Sequence, residues 1–203
     1  MDELEAYLQR LAARLGELLG PELVGVYAGG SYALGAYEPG RSDVDVAVVV
    51  RSRLTREQKG AVVAGVRHEA LPCPARGLEL VVYRLAATQG PSTAAAFELN
   101  LNSGERMPFR LDYEADPDEE FWFPIDRSIL AAHGVALAGP PAAKVFAPIP
   151  REQLLPVLAE AIRRQPAGED ARLNAYRALR YEREGVWSSK REAAAWAAAL
   201  GLS

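Results

Sequence analysis

The sequence holds a single cysteine, Cys73, so no internal disulfide can form and stability has to come from a packed core. It has two histidines, His68 and His133, neither with a cysteine or histidine at ligand spacing. That argues against a zinc site, and no histidine-dependent triad can be assembled around them. No stretch of about 18 uninterrupted apolar residues occurs, so no membrane span is expected. The N-terminal segment MDELEAYLQR has no basic region followed by an apolar one, and it reads as the start of a mature amphipathic helix. Positive charge is not in excess: 23 Lys and Arg stand against 27 Asp and Glu, a net charge of −4. That argues against a protein that coats nucleic acid through its bulk field, although a local basic pocket for phosphates is still allowed. Neither a GxxxxGK[ST] loop nor a GxGxxG fingerprint is present. The expectation is a soluble cytoplasmic protein that binds neither bulk nucleic acid nor a membrane.

What is present is an ordinary globular composition, 49% hydrophobic and 25% charged over 203 residues, enough for one domain with a small appendage. Leu4, Leu8, Leu11, Leu15, Leu18 and Leu19 recur at helical spacing and end at Gly20-Pro21. A buried strand follows from Leu23 to Tyr27, broken by Gly29-Gly30-Ser31. The run 43–50 is the strongest strand by β-branched content. Thr55 and Gln58 form a capping box opening a helix to about Ala70, and Leu78 to Tyr83 reads as a third strand. Ser92 to Phe97 reads as a short helix, 100–104 as a polar connection, and 112–120 as an irregular acidic segment. A helix from Trp122 to Ala132 is expected to end with Gly134 at its C′ position. Beyond the Pro-rich stretch 139–150 the pattern is purely helical: 153–164, 171–184 and 189–200, the last opened by a Ser189–Glu192 capping box. The expected architecture is α+β, with one domain over residues 1–148 and a short helical domain over 149–203.

The chemistry is concentrated in the first half. A strand has a side-chain period of two, so Asp43 and Asp45 share a face with their Cβ atoms about 7 Å apart. Two carboxylates so placed repel each other unless a cation lies between them. Magnesium is the obvious ion, because it takes carboxylate oxygens together with substrate phosphates. Glu79, in the middle of another apolar strand, can face the pair if the two strands are sheet neighbours. Gly30 and Ser31 directly follow a strand, where glycine allows close backbone approach to a phosphate and serine adds a hydroxyl donor. Taken singly, each feature has a plainer reading: a turn, a solvated strand end, an exposed strand glutamate. Their order along the chain favours one site.

That order carries a resemblance. Gly30-Ser31, Gly35, Pro39-Gly40 and the Ser42-to-Asp45 strand start resemble the signature of the DNA polymerase β-like nucleotidyltransferase superfamily. The segments 77–82, 127–140 and 186–192 look like the aminoglycoside adenylyltransferases that modify streptomycin and spectinomycin. The resemblance implies a nucleotidyltransferase fold, a mixed sheet flanked by helices. It also implies Mg²⁺ held by Asp43 and Asp45, with Glu79 completing the metal site and acting as catalytic base. Gly30, Ser31 and Ser42 would bind ATP, and Lys190 would reach it from the helical domain. The implied reaction moves AMP from ATP to a hydroxyl of a small molecule, such as a cationic aminoglycoside. A protein hydroxyl as acceptor, as in antitoxin-type relatives, is the alternative within the superfamily, and a nucleotide-binding protein without turnover is the alternative outside it. The helical part is shorter than in that family, which leaves room for a homo-oligomer whose second subunit completes the cleft. Phe97 to Asn102 lacks the tryptophan that family places there. The acidic run 112–120 could guide a cationic acceptor, although a solvated loop is the plainer expectation. Trp122 and Phe123 are expected in the core, with an edge-exposed aromatic that stacks on a sugar as the alternative, and Arg163, Arg164, Arg177, Arg180 and Arg183 mostly on a solvated face.

Overall fold

The structure, a computed structural model, describes residues 3–202. Met1, Asp2 and Ser203 lie outside the described residues, so the expected N-terminal helix is traced from its third residue onward. Among the described residues six strands form one mixed sheet in the order β5-β4-β3-β2-β1-β6: β1 Leu23–Ala28, β2 Val44–Val50, β3 Leu78–Arg84, β4 Phe97–Gly104, β5 Met107–Asp112 and β6 Val135–Ala138. Only β2 and β3 run parallel; every other neighbouring pair is antiparallel.

The two faces of the sheet are covered differently, and the strand alternation decides how. Val44, Val46, Val48 and Val50 of β2 point with Leu78, Leu80 and Val82 of β3 and with Leu99 and Leu101 of β4 into one core. That core is closed by α1 (Glu3–Leu19) and α3 (Arg56–Val66), whose leucines and valines fill it. The opposite face of β2 changes character along its length. Asp43 and Asp45 lie at one end, Ala47 and Val49 at the other. Helix α5 (Trp122–His133) lies over this face, where Phe123 and Leu130 cluster with Ala47, Val49 and Phe146. Two one-turn helices, α2 (Gly30–Ala33) and α4 (Leu85–Thr88), follow β1 and β3. Helices α6 (Arg151–Arg164), α7 (Glu169–Glu184) and α8 (Lys190–Ala199) complete the chain. A third apolar cluster joins Ile125 and Ile129 of α5 to Leu154 and Leu158 of α6 and to Tyr181 and Trp187. Within it, Tyr181 and Trp187 stack at 4.3 Å and the buried Trp187 indole donates to Ser128 Oγ at 3.0 Å.

The α+β expectation and the mixed sheet are observed, with local corrections. Residues 92–97 are not helical: Phe97 opens β4, and the alternation of Leu99 and Leu101 with Asn100 and Asn102 is the period of a strand with one core face. Arg127 explains why the segment before it stays irregular, because its buried guanidinium donates to the carbonyls of Ser92, Ala94 and Ala95 and so replaces a helical ladder. Helix α3 begins at the expected capping box but stops at Val66. Gly134 does follow α5, yet with φ −53° it is not a left-handed cap. Its missing side chain serves close approach instead: a Cβ there would sit 2.6 Å from Leu130 O and 2.8 Å from Ala142 Cβ. The acidic segment is tied down, since Arg110 pairs with Glu119 and Arg164 with Asp118 at 2.5 Å, so its charge is partly compensated.

Candidate active site

Parallel pairing of β2 with β3 sets Asp45 directly opposite Glu79. Antiparallel pairing then sets Glu79 opposite Asn102 and Asn102 opposite Arg110. Laterally paired residues project to the same face, so Asp45, Glu79, Asn102 and Arg110 form one polar row across four strands. All four line a cleft of about 480 Å³, with Asp43 beside the row. The cleft lies where α5 stops covering the sheet, over the carboxylate-bearing end of β2.

Crowding of negative charge dominates the electrostatics. Glu79 is pushed up to about 8, first by desolvation and then by the charges of Asp45 and Asp43. Asp45 rises to about 6, again by desolvation first and then by Asp43, with Arg177 opposing. A cation beside these groups would relieve both effects. Among the described residues no three carboxylate, histidine or cysteine side chains close into a ready metal cage. The donor set nevertheless suits magnesium, which is commonly held by one or two carboxylates with substrate phosphates filling the remaining positions. Asp43 is paired in this structure with Arg76 Nη2 at 2.5 Å.

The loop after β1 closes over this floor. The Gly29 amide donates to Asp45 O at 2.9 Å, and Gly30 has φ +48°. A Cβ on Gly30 would overlap the Asp45 carboxylate, so only glycine permits this approach. Ser31 Oγ is buried with no hydrogen-bond partner. Buried hydroxyls are rarely left unpaired, and an orphan beside clustered carboxylates fits a site that expects a ligand oxygen.

Helices supply the other wall, and here the structure adds residues that the sequence reading missed. Asp126 of α5 lines the cleft, and desolvation with the Asp45 charge pushes it up to about 7, against the pull of Arg177. Arg177 of α7, expected on a solvated face, instead faces the cleft. Burial lowers its pKa, the charges of Asp126 and Asp45 counter that, and its Nε donates to Ser188 O at 3.1 Å. The signal was present in the helical period: Arg177 lies four residues before Tyr181 on the inner stripe of α7, and Asp126 four after Trp122 on α5. Trp122, expected in the core with an exposed edge as the alternative, is half-buried and reaches the same cleft.

Lys190, at the start of α8, lines this cleft and also an adjoining one of about 520 Å³. Its ammonium pairs with Asp170 at 2.7 Å. The Ser189–Glu192 capping box fixes the helix start that presents it. Ser42 lies in the adjoining cleft alone, its Oγ accepting from the Glu38 amide at 3.0 Å. Gly30, Ser31, Asp43, Asp45, Glu79 and Lys190 are therefore brought together, and Ser42 stands at the margin.

Residues 8–87 match the family described as nucleotidyltransferase domain. Among solved structures, the chain is similar to the spectinomycin adenyltransferase AAD(9) from Enterococcus faecialis, solved with ATP and spectinomycin. The TM-score is 0.66 at 16% identity, over 94% of this chain and 79% of that one. A toxin–antitoxin structure with AMP-PNP matches with a TM-score of 0.36 at 16% identity, over 87% of this chain and 93% of that one, a similarity too low to argue from. Compared by sequence with curated proteins, the chain has no match.

Proposed function

We propose, from the nucleotidyltransferase-domain match of residues 8–87, that the chain is a nucleotidyltransferase of the polymerase β-like kind and transfers AMP from ATP to a hydroxyl of a small cationic acceptor, releasing pyrophosphate. The observation that carries the reading is the register that sets Asp45 against Glu79, beside Asp43 and beneath Gly30 and the unpartnered Ser31 hydroxyl. Asp43 and Asp45 would hold Mg²⁺, with Glu79 completing the site, and the ion would offset the charge of the triphosphate and of the transferring group. Arg76, which pairs with Asp43, also lines the adjoining cleft with Ser42, so its guanidinium would be available there to a phosphate tail.

Glu79 takes the proton from the acceptor hydroxyl. Desolvation, the largest cause of its raised pKa, would persist when a cation offsets the neighbouring aspartates, and a carboxylate held above its ordinary value accepts a proton more readily. Ser31 Oγ donates to a phosphate oxygen, and Gly30 lets the backbone come close. Arg177 and Lys190, cations from α7 and α8, compensate phosphate charge from the helical side. Attack runs in line on the α-phosphorus, with the oxygen that bridges to the β-phosphorus leaving as part of pyrophosphate.

A cleft of about 480 Å³ is of the size that encloses a drug-sized ligand, which favours a small molecule over a protein segment as acceptor. The similar Enterococcus enzyme was solved with spectinomycin, a precedent for an aminated acceptor. The test is incubation with ATP, Mg²⁺ and a panel including spectinomycin and streptomycin, with mass analysis of each compound. One adenylylated acceptor is expected, and Glu79→Gln should slow its formation by about 10²–10⁴-fold while MgATP still binds. Failure of the protein to bind MgATP, or equal single-turnover rates in Glu79→Gln, would overturn the assignment.

A further inference from the structure

Helix α5 presents a stripe to the cleft in which Trp122 and Asp126 stand one turn apart, followed by Ile129 and Leu130. Residues four apart on a helix are neighbours on its surface, so the indole and the carboxylate lie side by side on the wall facing the sheet. The mechanism above uses neither of them. Asp126 makes no hydrogen bond and no ion pair at contact distance among the described residues, and the Trp122 indole N–H likewise has no partner there. Both are anchored from behind. Trp122 packs against Phe121 at 5.1 Å and against the cluster shared with α6, and α5 itself is held by the Trp187–Ser128 hydrogen bond.

An unpartnered carboxylate next to an aromatic face is a receptor for a protonated amine: the carboxylate accepts its N–H bonds and the indole attracts its charge. Two cations act on Asp126: Arg127, whose guanidinium is spent on the carbonyls of Ser92, Ala94 and Ala95, and more strongly Arg177, whose charge is divided between Asp126 and Asp45. A triphosphate drawing on Arg177 leaves Asp126 with less compensation, so a cationic acceptor gains most once the nucleotide is in place. We propose that Trp122 and Asp126 form the subsite that holds an ammonium group of the acceptor and thereby sets its reactive hydroxyl beside Glu79. This rests on the nucleotidyl-transfer reading and names two residues that select the acceptor. They are positioning residues for acceptor binding and take no part in bond making.

The test uses the full chain with Mg²⁺ and a non-hydrolysable ATP analogue, titrated calorimetrically with spectinomycin, with streptomycin and with the neutral polyol myo-inositol. MgATP binding is measured separately on each variant. At least one cationic compound is expected to bind. Asp126→Asn should weaken it by about 10–100-fold, the loss of a charged hydrogen bond, and Trp122→Leu by about 3–10-fold. MgATP affinity should not fall in either variant, since neither side chain contacts phosphate, and Asp126→Asn should leave it equal or tighter because Arg177 is released to the triphosphate. Cation binding that Asp126→Asn leaves unchanged overturns the proposal. So does a parallel loss of MgATP binding, which would make Asp126 a metal or nucleotide ligand, and so does a wild type that binds myo-inositol as tightly as the amines. Absence of any amine binding while MgATP binds normally refutes the subsite and leaves the transferase reading standing; absence of MgATP binding refutes that reading itself.

Discussion

At the scale of single residues, Gly30 shows how one backbone position governs the chemistry. It combines a left-handed φ of +48° with a contact so close that any side chain would enter the Asp45 carboxylate. Gly35 shares the left-handed conformation, at φ +64°, but has open space around it. The two alanine variants therefore separate strain from collision. Gly35→Ala should cost about 1–2 kcal/mol of stability and little else, the usual penalty for an L-residue in that region. Gly30→Ala should cost a similar amount or more and displace Asp45 as well, so that transfer falls by at least about 100-fold. Thermal melts and turnover on both variants check this, and a Gly30→Ala enzyme as active as Gly35→Ala would remove Gly30 from the site. The buried arginine Arg127 illustrates the opposite case: a charged side chain in a family-like segment that turns out to be structural, its donors spent on three loop carbonyls.

At the scale of elements, strand register and helix starts carry the site. The row Asp45–Glu79–Asn102–Arg110 exists because four strands share one register, and a slip of one residue in β3 would send Glu79 into the Val46–Leu80 core. Helix α8 depends on its capping box, in which Ser189 Oγ accepts from the Glu192 amide at 3.2 Å and Glu192 Oε2 accepts from the Ser189 amide at 2.9 Å. Lys190 is the first residue after that cap. Ser189→Ala should destabilise the protein by about 1 kcal/mol, as loss of an N-cap does. It should also raise the KM for ATP more than it changes kcat, because a frayed first turn presents Lys190 less often. Steady-state kinetics beside a melt decide it; a loss of stability with unchanged KM would show that Lys190 has no hold on the nucleotide. The strand β4, read from the sequence as partly helical, belongs to this scale too. The alternation that identifies it is short and interrupted by Glu98, whose carboxylate is buried only because Lys59 and Arg84 both pair with it, at 3.0 and 2.9 Å. No local signal announces partners so far away in sequence.

At the scale of the whole molecule, a closed apolar core on one sheet face supports a charged, strained cleft on the other. The cost is legible in the pH dependence of the metal-free protein. Glu79 and Asp45 have native pKa values raised to about 8 and 6, and the more exposed Asp126, raised to about 7, adds less because solvent screens it. A carboxyl raised on folding binds more protons in the native state than in the unfolded one. Its contribution is complete below the unfolded value, about 4, and is lost as pH rises through the native value. Exposed carboxylates held low by arginines, such as Glu69, gain their stability below that window and do not oppose the trend. The melting temperature without metal should therefore fall from about pH 5.5 to about pH 8.5, by roughly 2–4 °C for each kcal/mol lost. Mg²⁺ should restore more at the upper end than at the lower, and Glu79→Gln should flatten the metal-free profile. A melting temperature independent of pH across that range would contradict the crowding of charge in the cleft.

The sequence by itself determined the parts of the site that depend on local period. Asp43 and Asp45 share a face because a strand alternates every residue, Gly30 and Ser31 stand at the first strand's end because glycines break it, and Lys190 heads a helix because Ser189 and Glu192 cap it. These are relations within a few residues, and the chain's own sterics and hydrogen bonding impose them. Only the tertiary structure decided what faces them. Asp45 meets Glu79 through a parallel register across 34 positions of chain, set by packing of Val46 and Leu80 against α1 and α3 rather than by any turn between the strands. Asp126 and Arg177 look from sequence like polar residues on amphipathic helices. They become cleft residues because α5 and α7 share the apolar cluster that seats both helices beside the carboxylate end of β2. Period tells which face of a helix is apolar; it does not tell how far the partner's cover extends, and a polar residue at the rim of that cover is a wall of the site or a solvated surface according to where the neighbouring element stops.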